Sequence, residues 1–292
     1  MLFRTVILCT SALTYSNMGT IFSSIVWNPS ISPFSIFGFE IRYYALCWMA
    51  GLIAAYMIVH WAYRNEKVSD EKFEPLFIYC FLGILIGARL GHCLFYEPGY
   101  YLSHPIEMLL PIKSVNGSWT FTGYAGLASH GGTIGILLAL LLYIRKTKLK
   151  LMWVLDCIGL AAPIFGAFVR LGNLMNSEII GNATDLPWGM VFVQAGETVP
   201  KHPAQLYESI AYFVFFIMVM ILYRRYRNKV GSGLFIGFSV FTVFTFRFFV
   251  EYVKDVQVSF EEGMFLNMGQ ILSIPLIITG AVFIYRSLKW KK

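Results

Sequence analysis

The stretch WVLDCIGLAAPIFGAFVRLGNLM (Trp153–Met175), running on into NSEIIG (Asn176–Gly181), decides how this chain is read. Its first part is apolar and long enough, at about 1.5 Å per helical residue, to cross a hydrocarbon core of about 30 Å. It nevertheless holds Asp156 near one end and Arg170 near the other. Arg170, Asn173 and Asn176 recur every three residues, so they share a face while the segment stays helical, and Glu178 follows. Polar groups at that depth are tolerated only where they are buried in protein or line a cavity. The segment therefore reads as a membrane span with a chemically specialised end.

The rest of the chain agrees. Of 292 residues 57% are hydrophobic and 13% charged, against about 25% charged in soluble domains. An aromatic content of 17% excludes disorder. Apolar stretches near 41–61, 75–96, 122–144, 153–175, 205–223, 232–252 and 265–285 predict an all-α, polytopic membrane protein with seven transmembrane helices. The expected organisation is an N-terminal extension (1–27) with a short apolar run, Val6 to Leu13, a membrane domain (28–288) and a basic cytoplasmic tail (289–292).

Lysine and arginine set the orientation. Arg64, Lys67 and Lys72 share one loop; Arg145, Lys146, Lys148 and Lys150 another; Arg224, Arg225, Arg227 and Lys229 a third. Arg286, Lys289, Lys291 and Lys292 end the chain. The alternate segments hold only Arg4, Lys113, Lys201 and Lys254. By the positive-inside rule the N-terminus faces out and the C-terminus in. The net charge of +7 is thus explained by loops against anionic lipid, and no nucleic-acid partner is expected. Five cysteines (Cys9, Cys47, Cys80, Cys93 and Cys157) show no CxxC spacing and sit mostly in apolar runs, so neither a disulfide framework nor a metal site is read from them.

The remaining basic residues, Arg42, Arg89, Arg170 and Arg247, fall within or at the edge of expected spans, where a central Arg costs about 2.5–3.5 kcal/mol. Each has a structural reading beside a functional one. Arg42 snorkels from a helix start, or serves the site. Arg89 lies among small residues and suits an ion pair. Asp156 caps the fourth helix. Arg247 and Glu251, spaced i, i+4, satisfy each other or act on a ligand. His130, before Gly131 and Gly132, is a hydrogen-bonded core residue or a chemical group. The Arg170–Gly181 segment resists the structural reading, because an arginine with amide neighbours suits an anionic headgroup that guanidinium grips as a fork. HPAQLYE (His202–Glu208) enters the fifth span from the same outer side, and Arg247 and Glu251 end the sixth span there. No HExxH, P-loop, GxSxG or GxGxxG pattern occurs, and the histidines lack ligand spacing, so no metal or cofactor is expected. A transporter or lipid scramblase would also want buried charge, but the halves show no internal repeat. An intramembrane protease lacks a Ser/His or paired-Asp constellation.

Taken in order, RYYA (Arg42–Ala45), GARLG (Gly87–Gly91), HGG (His130–Gly132), RLGN (Arg170–Asn173) through Asn176, Glu178 and Gly181, HPAQLYE (His202–Glu208), RFFVE (Arg247–Glu251) and MGQILS (Met268–Ser273) resemble the bacterial prolipoprotein diacylglyceryl transferases over roughly residues 28–288. At Val243 that family often carries a tyrosine, which leaves Tyr44 as the phenolic candidate. The resemblance implies a bacterial inner-membrane, multi-pass enzyme whose active site faces the outer leaflet. It implies transfer of the diacylglyceryl group of phosphatidylglycerol to the lipobox cysteine of prolipoprotein signal peptides, forming a thioether and releasing glycerol 1-phosphate. Within it, Arg170 and Arg247 are expected to hold the phosphate, and Asn173, Glu178 and Gly181 to fix the glycerol headgroup. Glu208 and Glu251 are expected to orient the arginines, His130 to act as base or thiol-positioning group, and Tyr44 to hydrogen-bond near the reacting centre.

Overall fold

The computed structural model describes residues 24–36, 39–110, 112–115, 118–121, 128–255 and 264–290. Most of the expected N-terminal extension (1–23), residues 122–127 of the third expected span and residues 291–292 of the tail lie outside the described residues. Among the described residues the helices are α1 (Tyr43–Asn65), α2 (Asp70–Phe95), α3 (Pro98–Ser103), α4 (Pro105–Leu109), α5 (Ser129–Thr147), α6 (Leu151–Met175), α7 (Ala204–Arg225), α8 (Leu234–Val250) and α9 (Met268–Leu288). The connections add strands β1 (Ile25–Trp27), β2 (Phe34–Ile36), β3 (Phe39–Ile41), β4 (Ile112–Val115), β5 (Ser118–Phe121) and β6 (Met190–Phe192). The fold is therefore mostly helical with three small strand pairs, rather than purely α. β1 runs parallel to β6, and β2–β3 and β4–β5 are antiparallel.

Among the described residues six helices are long and apolar enough to cross a membrane: α1, α2, α6, α7, α8 with its 3-10 extension to Val253, and α9. The stretch expected as the third span appears in its described part as α5, 19 residues long, with His130, Arg145 and Lys146 at its ends. Helix boundaries follow local chemistry. Asp70 and Glu71 open α2, and Arg64, Arg224 with Arg225, and Arg286 sit in the last turns of α1, α7 and α9, each favourable to the helix dipole. α9 starts in a capping box: Asn267 accepts from Gln270 N at 2.9 Å and Gln270 accepts from Asn267 N at 3.1 Å.

The chain divides into two compact units, His60–Val154 and the remainder. Within the first, α2 and α5 touch backbone to backbone. A Cβ on Gly135 would fall 2.0 Å from the Gly83 carbonyl oxygen, so only glycine fits. Arg89, buried, donates to the Glu107 and Met108 carbonyls at 2.6 and 3.2 Å, tying the short α4 to α2.

Within the second unit α6 is the central helix: half of its apolar window is buried, against 17–28% in the other spans. α1 packs on it through Gly51 and Gly172, α7 through Ser209, whose hydroxyl donates to the Ala167 carbonyl at 3.0 Å, and α8 through Ser239, which donates to Gly159 at 2.7 Å. Asp156 corrects its expectation. It lies inside α6 and caps a different helix, α8. Its Oδ2 accepts from the N–H groups of Gly231 and Gly233 at 2.8 and 2.9 Å, and its Oδ1 from Phe235 and Ile236 at 3.0 Å each. At the far end of α6, Leu174, Met190 and Phe192 form a small core with Ile25 and Trp27, and the Trp27 indole donates to the Leu174 carbonyl at 2.9 Å. Residues 24–27 of the expected extension are thus paired into this body.

A buried ionic cluster as candidate functional site

The last turn of α6, the first turns of α7, the end of α8 and the start of α9 meet at one end of this unit. Arg170 Nε stands 3.1 Å from Oε2 of Glu208, a residue with no exposed side-chain surface. Arg170 Nη1 donates to Asn173 Oδ1 at 3.2 Å. Asn173 and Asn176 in turn donate to the two oxygens of Glu178, at 3.2 and 2.8 Å. The three-residue recurrence seen in the sequence is thus a row of donors leading from Arg170 to Glu178. Gln205 donates to the Glu178 carbonyl at 2.8 Å.

The turn that presents Glu178 is strained. Ser177 and Ile179 both sit in the left-handed region, with φ of 54° and 58°, and Ile179 is β-branched. Such positions cost on the order of 1–3 kcal/mol each and persist only where the surroundings over-determine them. Here the clamps are visible: Gly181 N donates to the His202 carbonyl at 2.9 Å, Asn182 N to Val253 at 2.9 Å, and Asp255 N to Ile180 at 3.2 Å. A Cβ on Gly181 would meet the Val253 oxygen at 2.4 Å and the His202 Cβ at 2.6 Å. Gly181 therefore stands where three chain segments converge.

Glu251 departs from its expected pairing. Its partner is Lys254 at 3.0 Å, not Arg247. Lys254 Nζ also approaches Glu208 Oε2 at 3.3 Å, so the buried Glu208 carboxylate lies between two cations, while Tyr212 donates to its other oxygen at 3.0 Å. Both ion contacts to Oε2 lie off hydrogen-bond alignment, so charge rather than directionality holds them. Burying a carboxylate with two cations and a hydroxyl offsets the desolvation that would otherwise neutralise it. Just outside, Lys201 bonds Asp255 and Glu197. Burial works against its charge, but those two carboxylates outweigh it and hold its pKa above the usual lysine value.

Arg247, in the last turn of α8, is half-buried and within electrostatic reach of Tyr212. Among the described residues nothing accepts a hydrogen bond from its guanidinium or forms an ion pair with it. Tyr44, at the start of α1, lies against Gly172, where a Cβ would come within 3.0 Å of its ring; its hydroxyl has no hydrogen bond among the described residues. The structure thus gathers Arg170, Asn173, Glu178, Gly181, Glu208 and Glu251 into one connected cluster, with Arg247 and Tyr44 on the same helix ends. His130 belongs to the other unit, where it is the second residue of α5 and exposed. Arg42 is exposed just before α1. Lys254 was absent from the expected site: in the sequence it counts as a loop charge, and only its i, i+3 spacing from Glu251 signals the pairing. Tyr212, one turn after Glu208 within the apolar α7, reads in the sequence as a core aromatic, and only its i, i+4 spacing signals the hydrogen bond.

These features define a multi-pass membrane protein with a buried, charged site at one end of its helices. The family model for prolipoprotein diacylglyceryl transferase matches residues 32–286. A Bacteroides fragilis protein named phosphatidylglycerol–prolipoprotein diacylglyceryl transferase is 56% identical over 269 residues, covering 92% of this chain and 97% of that protein. Proteins of the same name from Porphyromonas gingivalis (40% over 283 residues, 91% and 95% covered) and Tolumonas auensis (39% over 268 residues, 91% and 99%) are also similar. The chain belongs to the prolipoprotein diacylglyceryl transferase family.

Proposed function

We propose that this protein moves the diacylglyceryl group of phosphatidylglycerol onto the lipobox cysteine thiol of a prolipoprotein signal peptide. The cysteine sulfur attacks the glycerol carbon that bears the phosphate ester. A C–S bond forms, the C–O bond to phosphate breaks, and the electron pair leaves with glycerol 1-phosphate. The thiol proton passes to a base.

Two demands follow. A thiol with an ordinary pKa of about 8.5 needs a base or electropositive surroundings. The departing phosphate needs donors already aimed where its charge develops. The observation that carries the reading is Arg247, a cation without a protein counter-charge among the described residues, beside an Arg170 whose donors are only partly engaged. Glu208 holds Arg170 by its Nε, which leaves guanidinium N–H groups for phosphate oxygens. Asn173, Asn176 and Glu178 offer a polar row for the glycerol headgroup. Tyr44 is assigned to hydrogen-bond near the reacting carbon, and His130 to take or position the thiol proton. With seven spans, N-terminus out and C-terminus in, the cluster faces the outer leaflet of the bacterial inner membrane. The basic helix ends (Arg64, Arg224 and Arg286) lie at the opposite ends of α1, α7 and α9 from the cluster, which supports that orientation.

The test is mass spectrometry of a lipobox peptide incubated with the purified protein and phosphatidylglycerol. A gain of one diacylglyceryl group on cysteine is expected. An unmodified peptide beside flux of lipid across vesicles would replace the reading with a transporter.

A further inference from the structure

We propose that Lys254 is a positioning residue for this reaction: it occupies Glu208 and Glu251 so that Arg170 and Arg247 remain available to the phosphate of the lipid. The inference rests on the transferase reading above and assigns a role to a residue outside it.

Lys254 is 5% exposed, and its side chain alone 2%, which for a lysine requires paired surroundings. Its Nζ lies 3.0 Å from Glu251 Oε2 and 3.3 Å from Glu208 Oε2. It therefore stands between the two carboxylates closest to the two arginines. Glu251 is four residues after Arg247 at the end of α8, the spacing at which an arginine and a carboxylate find each other on a helix. In this structure that pair does not form, because Glu251 turns to Lys254 instead. Glu251 is also confined on its other side, since Gly269 of α9 leaves no room for a Cβ within 2.6 Å of the carboxylate. Without the ammonium, the cation within helical reach of Glu251 is Arg247. Glu208 would at the same time have Arg170 alone as counter-charge. Both arginines would then be drawn onto protein carboxylates, and the anionic lipid would have to displace them.

The backbone of Lys254 is held independently of its side chain. It bridges Gly181, and the neighbouring bonds from Asn182 N to Val253 and from Asp255 N to Ile180 flank it. Truncating the side chain thus removes the charge while leaving these anchors.

Transfer to a lipobox peptide is measured at varied phosphatidylglycerol in mixed micelles. Lys254→Met is expected to raise KM for the lipid by about tenfold or more, with a smaller fall in kcat, as expected when ground-state binding is weakened. Adding Glu251→Gln to Lys254→Met removes the carboxylate that captures Arg247, and KM for the lipid falls back severalfold from that of the single variant while kcat stays reduced. Lys254→Arg, which keeps the charge, holds KM within about threefold. An unchanged KM in Lys254→Met overturns the proposal, as does a double variant no better than the single one, which is what a merely structural lysine would give. If Lys254→Met does not accumulate, a folded Lys254→Arg protein that has lost lipid affinity overturns it equally. Failure of the wild-type protein to modify the peptide is a different result, and strikes the transferase reading itself.

Discussion

Helix α6 carries a buried carboxylate at one end and contacts another at the other, and the two are used in opposite ways. Asp156 is closed: four backbone N–H groups fill both of its oxygens, and it makes the start of α8 possible. Glu208, against Arg170 about 20 Å along the helix, is surrounded by side chains that each retain unused hydrogen-bonding capacity. Asp156 shows what a purely structural buried charge looks like here. Measured against it, the Arg170 end has cations in excess of what the fold requires, with Arg247 held by no counter-charge among the described residues. That excess marks the reactive end.

Substitutions that exchange the two behaviours sharpen the contrast. Asp156→Asn would turn an amide toward two N–H donors and leave them unsatisfied, destabilising the protein by about 3 kcal/mol. Its melting temperature in detergent falls, while activity per folded molecule is retained. Gly181→Ala acts on the other end. Its Cβ drives the Val253 carbonyl and His202 apart, at about 1–3 kcal/mol for such overpacking, and here transfer activity falls further than stability does. The smallest effect is expected at Asn176, whose amide supports Glu178 from a more open position. Asn176→Ala removes one exposed hydrogen bond to Glu178, worth about 1 kcal/mol or less, which lowers transfer severalfold with at most a small fall in melting temperature. Melting curves and transfer rates on the same preparations check all three.

Much of this was legible in the sequence, for identifiable reasons. Apolar length reveals a span directly, so the helices from α6 to α9 stand close to where hydropathy puts them. The Arg170–Asn173–Asn176 spacing announces a shared face because α6 runs through Met175 and the bond from Asn176 N to the Gly172 carbonyl carries the helical turn one residue further. What could not be read depends on non-local contacts. Asp156 caps α8 rather than its own helix, since its four donors come from residues 75 to 80 positions away. Glu251 meets Lys254 because the 3-10 turn after α8 brings a residue three positions on within 3.0 Å, a pairing that the helical i, i+4 spacing to Arg247 does not announce. The third expected span is the least visible to hydropathy in its described part, because α5 is 19 residues long with His130 near one end and Arg145 and Lys146 at the other.

The central claim is that Arg170 and Arg247 act as a guanidinium clamp on phosphate. It is tested most directly by the rate at which Arg170→Lys and Arg247→Lys proteins add a diacylglyceryl group to a lipobox peptide, read by mass spectrometry. Lysine keeps the charge but not the fork, so each variant should lose on the order of a hundredfold or more in turnover while melting near the wild-type temperature. Near-normal turnover in both would contradict the claim.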